Sequence, residues 1–577
     1  MNKILNIFFL IYKNPKIEIA KFILFSILAL ILEIISIGAI YPLMNSIFSN
    51  NHNFILSTIN LNVENKAVII ILCVIIILVF FFKNIYYIFF IYWQNKFSQN
   101  IYKITSVFLL NNYMSKKYNF FHKNNTSTLI NNVYVESKNF SSVIASLLKL
   151  FSEILVLSSV ILFLFFFQFY VVLSLLTFFL VFSFFYKIFV KKFFNQWGRQ
   201  RTYFGTLMLR ELKVIFEGIK TIKIMHKENY FINEFKKYIK NYSKSAILQS
   251  TFAEFPKIFF EIMSVFLIII FVIYNIETNN NPIDFLAVLA VFVVAGFRLL
   301  PAFNRIIVSY QNIIYYSTTV NIIYNSYYEK LNYDNSHASK NENLDAINFN
   351  NHIKIDSLNF NHDGKDYDFF QEISLLIKKN DCIGLVGESG SGKSTLINLI
   401  SCLYSFNNGF IEIDNLKINT DYRVNLWQNK IGYVSQATFI KEGTVKDNIA
   451  FGVQDNQIDN EKVIKAMRSA ELESFLNKID YNLNTNIKES GINLSLGEQQ
   501  RFGIARALYN DCDLFILDEP TSSLDKNTEE NFINFLNKFS KNKTVIIISH
   551  KLSNTEFCNK IFKIEQNNNK RKIIQIK

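Results

Sequence analysis

The sequence has few cysteines, prolines and charged residues for its length. Five scattered cysteines in 577 residues exclude a disulfide-based scaffold. Six prolines and 17 glycines exclude a collagen-like or low-complexity chain. Charged residues make up only 18% of the chain, whereas 50% of its residues are hydrophobic. This balance argues against a purely soluble protein and favours a membrane protein.

The hydrophobic residues are concentrated in long runs in the first part of the chain. A helix needs about 20 apolar residues to cross a bilayer. Six runs are long enough, at residues 19–44, 67–93, 143–167, 170–190, 258–276 and 285–307. We therefore predict an α-helical membrane domain with six transmembrane helices and cytosolic helix extensions over residues 1–325, a linker over 326–350 and a soluble domain over 351–577.

Basic residues indicate how this domain is oriented. Lysine and arginine number 60 against 46 acidic residues, a net charge of +14. They are dense in segments 96–123 and 187–244, and almost absent near Asn50, Gln168 and Thr278. By the positive-inside rule, both termini and the soluble domain are predicted to be cytoplasmic, in a multi-pass protein of the inner membrane. The charge then reflects topology, and we predict no nucleic-acid partner.

The soluble domain contains a complete P-loop. The apolar strand CIGLV, 382–386, is followed by GESGSGKST and then by an apolar-periodic helix. Such a loop points backbone N–H groups at nucleotide phosphates, its lysine reaches the β- and γ-phosphates, and its serine hydroxyl binds Mg²⁺. We predict an α/β P-loop domain that binds ATP and Mg²⁺. The predicted contacts are Gly387, Glu388, Ser389, Gly390, Ser391, Gly392, Lys393, Ser394 and Thr395.

Two further strands end in residues suited to hydrolysis. The strand LFIL, 514–517, leads into Asp518 and Glu519. Asp518 is predicted to hold the metal, and Glu519 to orient or deprotonate the attacking water. A second strand, 544–548, delivers His550 to the same edge of the sheet, within reach of a γ-phosphate. We predict Lys393, Glu519 and His550 as catalytic residues.

The run LSLGEQQRFGIARAL, 494–508, resembles the signature motif of the ABC (ATP-binding cassette) superfamily. The glutamine Gln436 in IGYVSQ and the segment SSLD, 522–525, stand in the family's order. This resemblance implies an ABC exporter fold, in which one chain supplies half of a dimer. It also implies that Gln436 contacts the metal and the nucleotide and assists catalysis. Each ATP would lie between one P-loop and the partner copy's signature, which assigns nucleotide contacts to Ser495, Gly497, Glu498 and Asp525.

The sequence departs from the family pattern in two features, the signature motif and the residue that stacks on adenine. LSGGQ reads LSLGE here, so that Leu496 and Glu498 are the changed positions. The aromatic residue that stacks on adenine in the family is replaced by His362, with Tyr367 as a nearby substitute. The glutamate at 519 is intact, and the family resemblance therefore implies an ATP-hydrolysing translocase. A soluble P-loop ATPase is disfavoured by the six spans, and a gated channel by the intact glutamate.

Four basic residues interrupt apolar sequence and are candidates for the cargo site: Lys83, Lys257, Arg298 and Arg305. Charges are costly in a bilayer and therefore tend to mark function. One interpretation is a site for a phosphate-bearing lipid head group, with bidentate contacts from arginine. The alternative is structural: Lys257 and Arg305 reach the interface, Lys257 pairs with Glu261, and Glu33 and Glu153 neutralise the other charges.

The stretches FPKIFFE and FRLLPAFNRIIVSYQNIIYY resemble the bacterial flippases of lipid-linked oligosaccharides used in N-glycosylation. The resemblance implies a homodimeric flippase that moves a polyprenyl-pyrophosphate-linked oligosaccharide from the cytosolic to the outer leaflet. It would serve protein glycosylation, with membrane lipid and the lipid-linked glycan as partners. The alternative cargoes are a lipid A core, a hydrophobic peptide or a drug. The segment 54–63 is either a short external helix or a loop.

Overall fold

The computed structural model describes residues 2–12, 14–40, 42–43, 65–165, 169–277, 282–337, 347–361, 369–488, 491, 493–522, 524–567 and 570–577. Contacts between Cα atoms divide the chain into two compact units. The first comprises residues 1–116 and 120–339, and the second comprises residues 117–119 and 340–577. The candidate external helix at 54–63 lies outside the described residues.

The first unit is helical throughout the residues that the structure describes. Its helices are α1 (Asn2–Ile11), α2 (Pro15–Gly38), α3 (Asn65–Met114), α4 (Tyr118–Lys123), α5 (Thr126–Asn131), α6 (Ser137–Phe165), α7 (Phe169–Glu217), α8 (Ile219–Ile224), α9 (Glu228–Glu277), α10 (Pro282–Tyr315) and α11 (Ser317–His337), with a π-helical turn at Asn132–Glu136. Helix α4 is continuous with this unit in sequence, although its first two residues group with the second unit.

The long helices fall on the six predicted spans. Within the described residues, the segments Pro15–Gly38, Ile69–Met114 and Thr126–Phe165 are long and apolar enough to cross a membrane, with mean hydropathies of 2.4, 2.8 and 2.2. The other three predicted spans fall on α7, α9 and α10. Helices α3, α7 and α9 are 50, 49 and 50 residues long. About 20 residues suffice for a span, so each of these helices continues well beyond the bilayer.

The helices pack pairwise, α6 along α10 and α7 along α9. Gly198 lets α7 approach α10 closely, because a Cβ atom there would lie 1.9 Å from the carbonyl oxygen of Tyr315. Nearby, the buried Arg201 donates to Glu136 in the π-helical turn at 3.1 Å, and its guanidinium lies over the ring of Tyr316. Arg201 also donates to Thr319 Oγ1 of α11 at 3.2 Å, so this buried arginine joins three helical segments.

The second unit is an α/β domain with three sheets. Its strands are β1 (His352–Phe360), β2 (Phe370–Lys378), β3 (Cys382–Val386), β4 (Asn408–Ile413), β5 (Leu416–Lys417), β6 (Ile431–Val434), β7 (Gly443–Thr444), β8 (Asn486–Ile487), β9 (Leu514–Asp518), β10 (Thr544–Ser549), β11 (Lys560–Asn567) and β12 (Lys570–Gln575). The central sheet has the order β12-β11-β3-β10-β9-β6, and an antiparallel sheet has the order β2-β1-β4-β5. Strands β7 and β8 form a small pair.

Helices of this unit cover the central sheet and fill its core. They are α12 (Lys393–Ile400), α13 (Asp421–Gln428), α14 (Val445–Ile449), α15 (Asn460–Ser469), α16 (Glu473–Lys478), α17 (Leu496–Tyr509) and α18 (Lys526–Phe539). Strands β3, β9 and β10 are buried almost completely, which explains their continuous apolar sequences. They run parallel, so their carboxyl ends meet at one edge of the sheet.

The predicted linker over 326–350 begins inside a helix. Helix α11 continues to His337, so that residues 326–337 are helical. The first strand of the second unit, β1, starts at His352.

Candidate active site

The P-loop joins β3 to α12 through two glycines in the left-handed region, Gly390 (φ +80°) and Gly392 (φ +110°). Gly392 is the N-cap of α12. A Cβ atom on it would lie 2.9 Å from ring carbons of Phe369 and Phe370. Both the backbone angle and this close packing require glycine at 392. The loop therefore wraps tightly before the helix whose N-terminus favours anions.

The side chain of Lys393 folds back onto the P-loop and bonds to its backbone. Its Nζ atom donates to the carbonyl oxygens of Gly387 and Glu388, each at 2.8 Å. The side chain is buried, and desolvation lowers the pKa of its ammonium group, against the opposing effect of the carboxylates Glu519 and Asp518. A partly desolvated cation at the end of a P-loop attracts phosphate strongly, because little water screens it.

The parallel register brings the predicted catalytic residues together. Ile548 pairs with Asp518 across β10 and β9, so the residues that follow these strands are neighbours. The His550 Nε2 atom lies 2.5 Å from Glu519 Oε1, while its Nδ1 atom lies 3.4 Å from Lys393 Nζ. Glu519 has a φ of +48°, which is unusual for a residue other than glycine. The Glu519 carboxylate, the His550 imidazole and the Lys393 ammonium group thus form a chain of two successive close contacts.

Asp518 has a partner that the sequence analysis missed. The hydroxyl of Tyr433, on the neighbouring strand β6, donates to Asp518 Oδ2 at 3.0 Å. Burial raises the pKa of Asp518, although the bond from Tyr433 and the charge of Lys393 act in the opposite direction. Tyr433 stands three residues before Gln436, in the motif IGYVSQ that the sequence analysis used. Its contact with Asp518 could not be predicted from that motif, because the contact depends on the order of strands in the sheet.

Gln436 is connected to the catalytic edge through a serine. Its Nε2 atom donates to Ser522 Oγ at 3.2 Å, and Ser522 Oγ donates to the carbonyl oxygen of Glu519 at 3.1 Å. The glutamine therefore touches the segment that carries Glu519, although it makes no direct bond to the glutamate among the described contacts. Ser522 was recognised only as part of the SSLD segment.

The changed signature forms a capping box at the start of α17. Ser495 Oγ accepts from the backbone N–H of Glu498 at 3.2 Å, and Glu498 Oε2 accepts from the N–H of Ser495 at 2.7 Å. Leu496 is exposed. A Cβ atom on Gly497 would lie 3.6 Å from Thr528 Cγ2, so the signature lies beside α18. Asp525 caps that helix through the N–H of Thr528.

The remaining P-loop candidates lie on the loop and in the first turn of α12. Glu388 and Ser389 are exposed at the loop, Ser391 is buried, and Ser394 and Thr395 occupy the first turn of α12. A hydroxyl from Ser394, a carboxylate from Asp518 and an amide oxygen from Gln436 are the hard oxygen ligands that Mg²⁺ prefers. Among the described contacts, Asp518 accepts a hydrogen bond through Oδ2 and none through Oδ1. Oδ1 can therefore serve as a metal ligand, and the three residues fit Mg²⁺. His362 and Tyr367 lie outside the described residues.

Buried carboxylates accompany two of the four candidate cargo residues. Arg305 makes a bidentate pair with Glu153, from Nε to Oε1 at 2.7 Å and from Nη2 to Oε2 at 3.0 Å. Lys83 Nζ lies 3.6 Å from Glu33 Oε2 and 3.0 Å from Ser36 Oγ. In this conformation, therefore, both charges are compensated. Glu33 accompanies Lys83, whereas Glu153 pairs with Arg305, which the structural alternative placed at the interface. Tyr87 also donates to Glu153, at 3.3 Å.

The other two cargo candidates stand apart from these pairs. Lys257 is exposed on α9, next to the buried Pro256. Arg298 belongs to α10, and its side chain lies outside the described residues. The structure thus brings Lys83, Arg305 and their acids into the interior of the helical unit and leaves Lys257 on a helix surface.

Comparison with known families matches both parts of the chain. Residues 370–522 match the family described as ABC transporter, and residues 26–297 match the ABC transporter transmembrane region. The chain thus has the two domains of an ABC half-transporter. A solved structure described as a bacterial Atm1-family ABC exporter with ATP bound shares its fold, with a TM-score of 0.75 and 17% identity over 96% of this chain and 95% of that one. The half-transporter thus has the exporter fold, and its soluble unit is the ATPase domain.

Curated relatives match this half-transporter over a shorter stretch. A protein of Pasteurella multocida named ATP-dependent lipid A-core flippase is 36% identical over 218 residues, or 38% of this chain and 37% of that protein. Proteins of the same name from Coxiella burnetii and Yersinia pestis are 37% identical over 37% of this chain and 36% of theirs. The chain thus matches little more than a third of the length of these relatives. Their name favours the alternative cargo, and gives no support to the resemblance to lipid-linked oligosaccharide flippases.

Proposed function

We propose that this half-transporter pairs with a second identical copy and uses ATP hydrolysis to flip an amphipathic glycolipid with an anionic head group. The cargo would move from the cytosolic to the outer leaflet of the inner membrane, with both termini and the ATPase domain in the cytoplasm. The observation that carries the proposal is that one chain contains both a sheet edge with Glu519 against His550 and a helical domain with paired charged groups.

The residues of the ATP site have distinct roles in this proposal. The P-loop amides and Lys393 bind the β- and γ-phosphates, and His362 stacks on the base. Ser394, Gln436 and Asp518 hold Mg²⁺, which when bound neutralises charge on the phosphates. Glu519 accepts the proton of the attacking water, and His550, already 2.5 Å from Glu519, orients it and contacts the γ-phosphate.

A second copy completes each site. Ser495, Gly497 and Glu498 of the signature, and Asp525 beside it, would face the nucleotide bound to the other P-loop. The N-terminus of α17 presents its first N–H groups and its dipole toward that anion. Hydrolysis therefore requires two chains, and its rate per chain should depend on their pairing.

For the cargo, a lipid A-core glycolipid is the first candidate, because the curated relatives carry that name. A polyprenyl-pyrophosphate-linked oligosaccharide is the second, because of the basic residues Lys257 and Arg298 in the stretches that resemble its flippases. Both cargoes present negative charge on a sugar-bearing lipid. Such a head group would compete with Glu33 and Glu153 for the partly buried cations Lys83 and Arg305.

Reconstitution in proteoliposomes tests the proposal. We expect ATP-dependent loss of the externally accessible glycolipid when ATP is on the cassette side, and stimulation of ATPase activity by the transported lipid. Lipid A-core, a lipid-linked oligosaccharide and a hydrophobic peptide are compared at equal amounts. Movement of the peptide alone would replace the flippase by a peptide exporter, and ATP hydrolysis without movement of any of these cargoes would contradict the proposal.

A further inference from the structure

A C-terminal hairpin lies next to the strand that leads into the P-loop. Strand β11 pairs in parallel with β3, and β12 returns antiparallel to β11, with Gln566 opposite Arg571. In this sheet, therefore, only the strand β11 lies between β12 and β3. Nothing in the motifs of the ATP site involves this hairpin.

Arg571 reaches from the hairpin to the P-loop. Its Nη2 atom donates to the carbonyl oxygen of Gly390 at 3.4 Å and to Gln566 Oε1 at 3.3 Å. Its guanidinium carbon lies 3.6 Å from the ring centroid of Phe369. Its Cδ atom lies 3.2 Å from the position of a Cβ atom on Gly392. The guanidinium is thus held between the phosphate-binding loop and an aromatic ring.

Phe369 directly follows the segment predicted to contact adenine, which contains His362 and Tyr367. It is buried, and its ring also lies against the P-loop at Gly392. A guanidinium stacked on an aromatic face is fixed in orientation and weakly hydrated, and it retains N–H donors along its edges. These are the properties that favour pairing with phosphate oxygens.

We propose that Arg571 is a second cationic contact of the phosphate chain of bound ATP, besides Lys393. The two cations reach the loop from different elements: Lys393 begins the helix that follows the loop, and Arg571 lies on the C-terminal hairpin. The inference rests on the proposed ATP binding and adds a residue to that site.

The test compares Arg571→Gln and Arg571→Lys with a control on the same strand, Lys572→Gln. Lys572 is exposed and adjacent in a strand, so its side chain points to the other face. The affinity of the full-length protein for MgATP is measured together with its melting temperature. Inorganic tripolyphosphate, which has no base or ribose, serves as a competitor.

Loss of a charge-assisted hydrogen bond should weaken MgATP binding by Arg571→Gln about tenfold or more. Tripolyphosphate should lose affinity by a similar factor. Arg571→Lys should recover part of the loss because it keeps the charge, and Lys572→Gln should bind like the wild type.

Three outcomes would overturn the inference. Unchanged MgATP affinity in Arg571→Gln would remove Arg571 from the site. Weaker ATP binding with unchanged tripolyphosphate competition would place its effect away from the phosphates. If Arg571→Gln loses affinity only together with a lower melting temperature, and Arg571→Lys regains the melting temperature and the affinity to the same extent, the residue is structural. A wild-type protein that binds no ATP would instead defeat the proposed function itself.

Discussion

At the scale of single residues, Glu519 combines an unusual backbone angle with a close contact to His550. Its φ of +48° is held by the bond from its N–H to the carbonyl oxygen of Ile548 at 3.1 Å. Backbone strain of this kind persists where the surrounding structure over-determines it, and it clusters at functional sites. The sheet edge thus fixes the carboxylate in place beside the imidazole rather than leaving it free to rotate into solvent.

The substitution Glu519→Gln tests the role of this carboxylate. The amide keeps the size of the side chain and can still bond to His550, but it is a far weaker base. We expect hydrolysis to fall about 100-fold or more, while ATP binding is retained. Phosphate release and retention of bound ATP measure the two effects.

A suitable control is Glu565→Gln on β11, where the carboxylate pairs with the nearby Lys563. That variant should hydrolyse ATP at the wild-type rate. Normal turnover by Glu519→Gln would show that another group acts as the base.

Residue-level reasoning predicted the members of the ATP site but not all of their partners. Lys393, Asp518, Glu519 and His550 followed from their positions after apolar strands, since parallel strands end at one edge. The bond from Tyr433 to Asp518 did not follow, because it depends on β6 lying beside β9. Arg571 was missed for the same reason: its contact arises from a strand order that no local pattern encodes.

At the scale of elements, the start of α17 explains why the signature tolerates Glu498. In a capping box, a glutamate three residues after the N-cap serine satisfies a backbone donor, and its negative charge also favours the helix dipole. The changed residue therefore stabilises the helix. The same charge lies where the partner copy's nucleotide would bring a γ-phosphate, so it should weaken pairing across the dimer.

The substitution Glu498→Gln separates these effects. The amide oxygen can still accept from Ser495 N–H, but the repulsive charge is removed. We expect the ATP concentration for half-maximal hydrolysis to fall about two- to fivefold, corresponding to roughly 0.4–1 kcal/mol, the range of a charge near a helix end. Steady-state ATPase titrations of the full-length protein measure it.

A second capping box provides the matched control. Asp447 caps α14 together with Thr444, far along the chain from the signature. The variant Asp447→Asn loses the same kind of charge and should change thermal stability slightly without changing the ATP requirement. A rise in the required ATP concentration for Glu498→Gln would show that the carboxylate assists, rather than opposes, nucleotide binding.

Element boundaries were predictable where composition determines them. Long apolar runs identified the transmembrane helices. They did not show how far α3, α7 and α9 continue beyond the membrane, because the polar residues that follow each apolar run favour a helix without marking where it ends. The π-helical turn at Asn132–Glu136 was not predicted either. It sits where Glu136 pairs with Arg201, a contact between residues 65 positions apart.

At the scale of the whole molecule, the half-transporter has paired charged side chains both in its ATP site and in its helical domain. In the helical domain, Glu33, Lys83, Glu153 and Arg305 come from four different helices, α2, α3, α6 and α10. The two acids are almost fully buried, at 3% and 4% exposure, so each depends on its basic partner. Two ion pairs that each join two of these helices can hold the helices together. An anionic head group of the cargo could also replace the carboxylates as partner of the cations.

The pair Glu153–Arg305 distinguishes these roles. Removing arginine alone leaves a buried carboxylate uncompensated, which costs about 3–5 kcal/mol when both partners are buried and less here, since 36% of the Arg305 side chain is exposed. We therefore expect Arg305→Gln to lower the melting temperature more than the double variant Glu153→Gln with Arg305→Gln. A double-mutant cycle on melting temperatures in detergent gives the coupling.

Transport by the variants then decides whether Arg305 meets the cargo. Glu153→Gln frees the guanidinium from its competitor, so we expect stronger stimulation of ATPase activity by the anionic glycolipid. The double variant should keep basal hydrolysis but lose that stimulation. The buried pair Glu136–Arg201 provides the control, because its double neutral variant should alter stability without altering the lipid response. Full stimulation of the Glu153/Arg305 double variant would make this pair purely structural and move the search for the head-group site to Lys257 and Arg298.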